Sequence, residues 1–186
     1  CVLKSTSLKY KNTDYLPNPS AHNNVLNLSN KNLEVVYVGS NKFDNDLMLK
    51  IAESGIKITI YSEFCSVEHD NITLCGLIPK ADLVKKIALF KVGIIPFYID
   101  EKNKFMEVPL KTYDYIAAGL HVVMISSSVD IDTGAIHLVK TYTDFIETIN
   151  KLMVTEIDVE ASHNFLKFRS MEWFEKEINN HLLDLQ

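Results

Sequence analysis

Lys91-Val-Gly-Ile-Ile-Pro-Phe97, Glu107-Val-Pro-Leu-Lys-Thr-Tyr-Asp-Tyr-Ile-Ala-Ala-Gly119 and His121-Val-Val-Met-Ile125 follow one another within a short span of the chain. The first and last runs are apolar and rich in β-branched residues, which reads as strand. The middle run opens on Pro109, whose missing N–H costs nothing at the first helical position. It closes on Gly119, a natural helix stop. Strand, helix and strand in that order is the alternation that builds a parallel sheet.

The same alternation extends in both directions. Upstream, Leu33-Glu-Val-Val-Tyr-Val38 is a strand ending in Gly39-Ser40, and residues 43–54 carry apolar side chains at helical spacing before Gly55. Residues 56–61 and 72–75 are further strands, and 81–90 a helix. Downstream, 135–139 is read as a sixth strand, 143–153 as a helix, and 159 to about 184 as one long helix. Several strands are continuous apolar runs, which implies a sheet covered on both faces. The expected class is α/β, a doubly wound parallel sheet of about six strands with helices on both faces and a long C-terminal helix. Residues 1–33 are polar, rich in Asn, Ser and Lys, and lack periodicity. They read as a linker, with one short strand near Val2-Leu3, at the edge of a preceding domain; residues 34–186 are the domain itself.

The chain has 186 residues, 47% hydrophobic and 23% charged, with a formal net charge of −5. This is the composition of one ordinary globular domain, and its acidic balance argues against an electrostatic nucleic-acid binder. Cysteines stand at 1, 65 and 75 without a C-x-x-C pair, which suits a reducing, cytoplasmic setting and inert or buried thiols. No apolar run is long enough to span a bilayer, and there is no signal peptide. The start at Cys1 without Met suggests a piece of a longer protein. The six histidines show no H-E-x-x-H or Cys/His spacing, so no metal site is expected. His121 and His137 read as satisfied core residues. Trp173 with Phe165, Phe168 and Phe174 reads as packing on the last helix.

Doubly wound sheets bind ligands beyond the carboxyl ends of their strands. The loop 98–108 and the helix it opens are the strongest candidate. First-turn N–H groups suit an anion such as a diphosphate. Lys111 adds a positive charge, and Asp114, three residues on, can accept from two neighbouring ribose hydroxyls. The same spacing also describes a surface ion pair on an ordinary helix. Gly39-Ser40 is half of a phosphate-binding turn or simply a turn. Gly76-Leu-Ile-Pro79 can meet a flat base edge or be a plain loop.

The run 107–123 resembles the P-x-K-x-Y-E-Y-x-A-x-G-x-P-V-V signature of glycosyltransferases with the GT-B fold (glycosyl transferases group 1-like). Other segments are similar to that family in the same order. Tyr15-Leu-Pro-Asn18 resembles its entry linker, Val36-Tyr-Val-Gly-Ser40 its first strand and turn, and residues 71–83 its N-V-x-x-x-G-x-x-P-x-x-x-L stretch. Val92-Gly-Ile-Ile-Pro-Phe97 resembles its D-V-x-I-x-P-F strand, and Ser170-Met-Glu-Trp173 the opening of its last helices. The resemblance covers about residues 15–175.

It implies two Rossmann-like domains facing across a cleft, of which this chain is the C-terminal, nucleotide-sugar-binding one. By that resemblance Asp114 binds the ribose. Lys111 with the backbone of Val108, Pro109 and Leu110 holds the diphosphate. Gly39 and Ser40 lie near the phosphates, and Leu77, Ile78 and Pro79 near the base. The implied reaction transfers a sugar from a UDP- or GDP-linked donor to an acceptor hydroxyl, without metal or cofactor. The acceptor, a sugar or lipid-linked glycan, and any catalytic base belong to the other domain. Bacterial polysaccharide synthesis at the inner face of the membrane is the implied setting, and the chain alone is expected to bind donor weakly and transfer nothing. The chain departs from the pattern in four places. Met106 stands where the family often has a first acidic residue, with Glu107 one place later as a shifted candidate. Asp114 replaces Glu, His121 replaces Pro, and Lys91 replaces Asp. A sugar-nucleotide epimerase and a non-catalytic α/β binding module are the competing readings.

Overall fold

The structure is a computed structural model that describes residues 19–39, 43–97, 108–125 and 134–183. The strand expected near Val2-Leu3, the 15–18 segment, Ser40, residues 98–107 of the candidate loop with Met106 and Glu107, and the residues from 184 on lie outside the described residues. Among the described residues there are six strands, β1 (Leu33–Val38), β2 (Ile58–Tyr61), β3 (Ile72–Leu74), β4 (Phe90–Ile95), β5 (His121–Ile125) and β6 (Ile136–Val139). Helices α1 (Asn45–Glu53), α2 (Leu83–Ile87) and α3 (Lys111–Ala117) lie between strands, and α4 (Tyr142–Leu152), α5 (Val159–Lys167) and α6 (Met171–Leu183) follow β6.

Every pairing is parallel and the order is β3-β2-β1-β4-β5-β6. The chain moves outward from β1 to β3 and then returns to the other side of β1 for β4. The connections leave β1 and β4 in opposite directions, which opens a crevice beyond their carboxyl ends. Residues of the inner strands enter two opposite cores. Val35, Tyr37, Ile58, Ile60, Val92, Ile94 and Val123 pack with α1 and α4. Val36, Phe90, Ile95, Val122, Met124 and Ile136 pack with α2, α3 and α5. Burial on both faces is why the strands read as continuous apolar runs.

The β1–β4 ladder includes the register pair Val36 with Gly93. Beyond that pair the Tyr115 hydroxyl accepts the Val38 N–H at 2.8 Å and donates to the Ile94 carbonyl at 3.4 Å. Its ring lies across Gly93, where a Cβ would come within 2.5 Å of Tyr115 Cγ. A fully buried tyrosine thus bridges the two strands at the place where they part.

The segment before β1 packs along the domain. Val25 and Leu28 join the core around α3, and the Leu26 N–H donates to the Ala117 carbonyl at 2.6 Å. The Lys31 ammonium donates to the carbonyls of Ala88, Phe90 and Ala118 at 3.0 to 3.1 Å, so one cation caps the C-terminal ends of α2 and α3.

The run from 159 onward, expected as one helix, is two. α5 ends at the Phe168 cap, and the Ser170 hydroxyl accepts from the Trp173 N–H at 3.1 Å, capping α6. The Arg169 carbonyl is taken by the Ser20 N–H at 2.5 Å, which gives the break a partner distant in sequence. Within the aromatic group assigned to that helix, Phe165 is buried and stacks on Tyr113 with centroids 5.8 Å apart, but Phe168 is exposed. Cys75, expected to be buried or inert, is exposed at the edge of the sheet, and Cys65 is half-buried. No helix among the described residues is long and apolar enough to cross a membrane.

Candidate functional site

The crevice between β1 and β4 is lined by the residues that leave those strands. Tyr37 lies near the end of β1, with Gly39 just beyond it, and Phe97 follows β4. Asp44, at the N-cap of α1, braces the connection from β1. Its backbone N–H donates to the Pro96 carbonyl at 2.7 Å, and its carboxylate accepts from Leu47 N–H at 3.1 Å. The Tyr142 hydroxyl donates to the same carboxylate, tying α4 to this corner.

Lys111 opens α3, and its aliphatic stem carries the ammonium back into the crevice. The nitrogen lies 4.2 Å from the Tyr37 ring centroid and 4.8 Å from that of Phe97, and it donates to the Tyr37 hydroxyl at 3.1 Å. Two ring faces and one hydroxyl hold the cation in place. Burial pulls its pKa down to about 8. Burial, and then the nearby Cys65 thiol, raise the Tyr37 phenol, so it remains protonated at neutral pH. A Cβ at position 39 would collide with the Lys111 ammonium and come within 3.0 Å of the Tyr37 hydroxyl, so glycine leaves the room the lysine uses.

Pro109 lies one residue before the Leu110 cap, not at the first helical position, because the first turn is tighter than α. Thr112 N–H bonds the Pro109 carbonyl at 2.9 Å and Tyr113 N–H the Leu110 carbonyl at 3.1 Å. Two of the first-turn amides expected to face an anion are therefore engaged within the chain. Val108 is buried and Leu110 is 63% exposed, so these neighbours face opposite environments.

Asp114 does not pair with Lys111. Its Oδ1 lies 2.7 Å from the Nε2 of His22, a residue of the segment before β1, and both side chains are partly exposed. The two charges that share a helix thus reach separate partners, and the surface-ion-pair reading falls. Leu77, Ile78 and Pro79 follow β3 and turn into α2 through the Asp82 N–H to Pro79 carbonyl bond at 3.0 Å. Leu77 is 58% exposed and Ile78 packs on the core. The structure therefore brings Gly39 and Lys111 together, sets Asp114 further along the same helix, and puts 77–79 two strands away. Reading by residue type missed Tyr37, Phe97, Asp44, Tyr115 and His22. Tyr37 and Phe97 do carry a signal, since each is an aromatic residue at the mouth of a strand; His22 carries none.

At the far end of β5, His121 is buried between the His137 imidazole (Nδ1 to Nε2, 3.2 Å) and the Thr155 carbonyl (Nε2, 3.1 Å). The carbonyl requires a hydrogen on Nε2, so the neutral ring accepts through Nδ1 and His137 donates. Among the described residues no group of three or more His, Cys, Asp or Glu is placed to hold a metal ion.

Solved structures share this architecture. A T4 phage BGT variant in complex with UDP-glucose matches with a TM-score of 0.60 at 15% identity, covering 82% of this chain and 49% of that one. The fold is that of one half of a GT-B glycosyltransferase. The T4 phage β-glucosyltransferase matches at 0.55 and 16% identity, covering 82% of this chain and 52% of that one. The GtfA/B complex matches at 0.60 and 12%, covering 90% of this chain and 39% of that one. This chain thus spans about half or less of the length of these GT-B structures, and at such identities the likeness is one of fold. No family model and no curated protein matches the sequence.

Proposed function

We propose that the chain is the donor-binding domain of a glycosyltransferase that moves a sugar from a UDP- or GDP-linked donor to an acceptor hydroxyl. The observation that carries this reading is the Lys111 ammonium, fixed at the mouth of the β1–β4 crevice between Tyr37 and Phe97. An ammonium has three donors, and the Tyr37 hydroxyl takes one. The others are available, among the described residues, to an oxyanion that approaches beside Gly39.

In the transfer, the bond between the anomeric carbon and the β-phosphate oxygen breaks, and negative charge grows on the departing nucleoside diphosphate. A partly buried cation already in position stabilises that charge without reorganisation. Asp114 serves the ribose hydroxyls. The 77–79 turn, about 10 Å from β1 at two strand spacings, serves the base. A nucleoside bridges that span. By resemblance the acceptor, a sugar or lipid-linked glycan of polysaccharide or glycoconjugate synthesis, binds a second domain on the cytoplasmic side of the membrane. The chain alone binds donor weakly and transfers nothing.

Calorimetric titration with UDP and GDP tests this reading. Lys111→Met keeps most of the stem and removes the charge. It should weaken the bound diphosphate by about 1.5–3 kcal/mol, the range for a lost charge-assisted hydrogen bond. Unchanged affinity would remove Lys111 from the site.

A further inference from the structure

We propose that His22 is a positioning residue for nucleotide recognition, holding the Asp114 carboxylate in the orientation that selects a ribose with its 2′-hydroxyl. This rests on the reading of Asp114 as the ribose acceptor and adds a residue to which that reading assigns no role. The pair spans 92 positions, with His22 Nε2 2.7 Å from Asp114 Oδ1, and the two side chains are 26% and 22% exposed. A carboxylate only accepts, so Nε2 carries the hydrogen in this pair whatever the charge of the ring.

The imidazole is delivered by a braced turn. The Ser20 hydroxyl accepts from the His22 N–H at 2.9 Å and donates to the His22 carbonyl at 3.1 Å. Ser20 is itself buried, and its N–H is bound to the Arg169 carbonyl at the start of the last helix. On the other side, α3 is fixed by Tyr113 and Tyr115, both buried. Between two fixed backbones the carboxylate keeps one main freedom, rotation about its own side-chain bonds, and the His22 hydrogen bond removes it. Each carboxylate oxygen accepts two hydrogen bonds. His22 uses one of Oδ1, and Oδ2 has no partner among the described residues. That leaves an oriented acceptor edge, which two vicinal hydroxyls match and a 2′-deoxyribose does not.

The test is calorimetric titration of the 186-residue chain with UDP and 2′-deoxy-UDP, and with the corresponding guanine pair. The unmodified chain should prefer the ribonucleotide by about 10- to 100-fold, the worth of a hydrogen bond to a charged acceptor. In His22→Ala both nucleotides still bind and the preference falls to within about threefold, since a freely rotating carboxylate gives up most of that bond. His22→Gln, whose amide N–H replaces Nε2–H, restores the preference. A merely structural role would weaken both nucleotides alike and leave their ratio unchanged, so a preserved ratio in His22→Ala overturns the proposal. An unmodified chain that binds UDP and 2′-deoxy-UDP equally overturns the Asp114 reading, and this inference with it.

Discussion

Lys111 shows how surroundings set the chemistry of one residue. Its ammonium is held by two aromatic faces and a phenol, and burial lowers its pKa to about 8. The charge that would meet a diphosphate is therefore complete at neutral pH and lost above pH 8. Affinity for UDP should be nearly level below that pH and fall as the solution becomes more alkaline. Titrations at a series of pH values check this, and Lys111→Met should abolish the alkaline fall. Lys111 and Asp114 stood out in the sequence through the resemblance of the run 107–123, since their spacing alone also suits a surface ion pair. Their partners did not. Tyr37 and His22 are brought to α3 by the chain's path through space, and the spacing of residues does not encode contacts across 74 or 92 positions.

At the scale of elements, the inner strands were legible because burial on both faces makes them continuous apolar runs. Helix ends were less so. The helix expected from 81 to 90 is confined to Leu83–Ile87, and the tail divides at Ser170 because Ser20 takes the Arg169 carbonyl. The first limit has no local signal, whereas Ser170 is a residue type that caps helix starts. Tyr115 makes the crevice a property of the sheet, since its hydroxyl replaces a ladder rung between β1 and β4. Tyr115→Phe leaves the partly buried Val38 N–H and the buried Ile94 carbonyl without that partner. It should cost about 1–3 kcal/mol of folding stability, the cost of unsatisfied buried groups. Urea denaturation measures it, and a loss below about 0.5 kcal/mol would mean that the strands close without the hydroxyl.

For the whole molecule, the alternation of strands and helices was readable, but the return of the chain to the far side of β1 was not, and that reversal locates the crevice. The opposite end of the sheet carries a pH dependence. Burial, then the neighbouring His121 and Lys151, lowers the pKa of His137 to about 4, and burial also lowers that of His121. Unfolded, each histidine takes up its proton near the ordinary 6.5. Between those values the unfolded chain binds more protons, so stability is fully present above pH 6.5 and declines as pH falls toward 4. The slope is at most about 1.4 kcal/mol per pH unit for each proton. Thermal melts between pH 7 and 4 should show the decline, and His137→Gln should flatten it.

On the proposed function, the β1–β4 crevice binds a nucleoside diphosphate. A thermal-shift screen of the chain against nucleosides, nucleoside diphosphates and their sugars tests it most directly, because a ligand that binds only the folded state raises its stability. UDP, GDP or their sugars should raise the melting temperature, the free nucleosides should do so far less, and Lys111→Met should lose the rise. A melting temperature unmoved by every nucleoside diphosphate at millimolar concentration would contradict it.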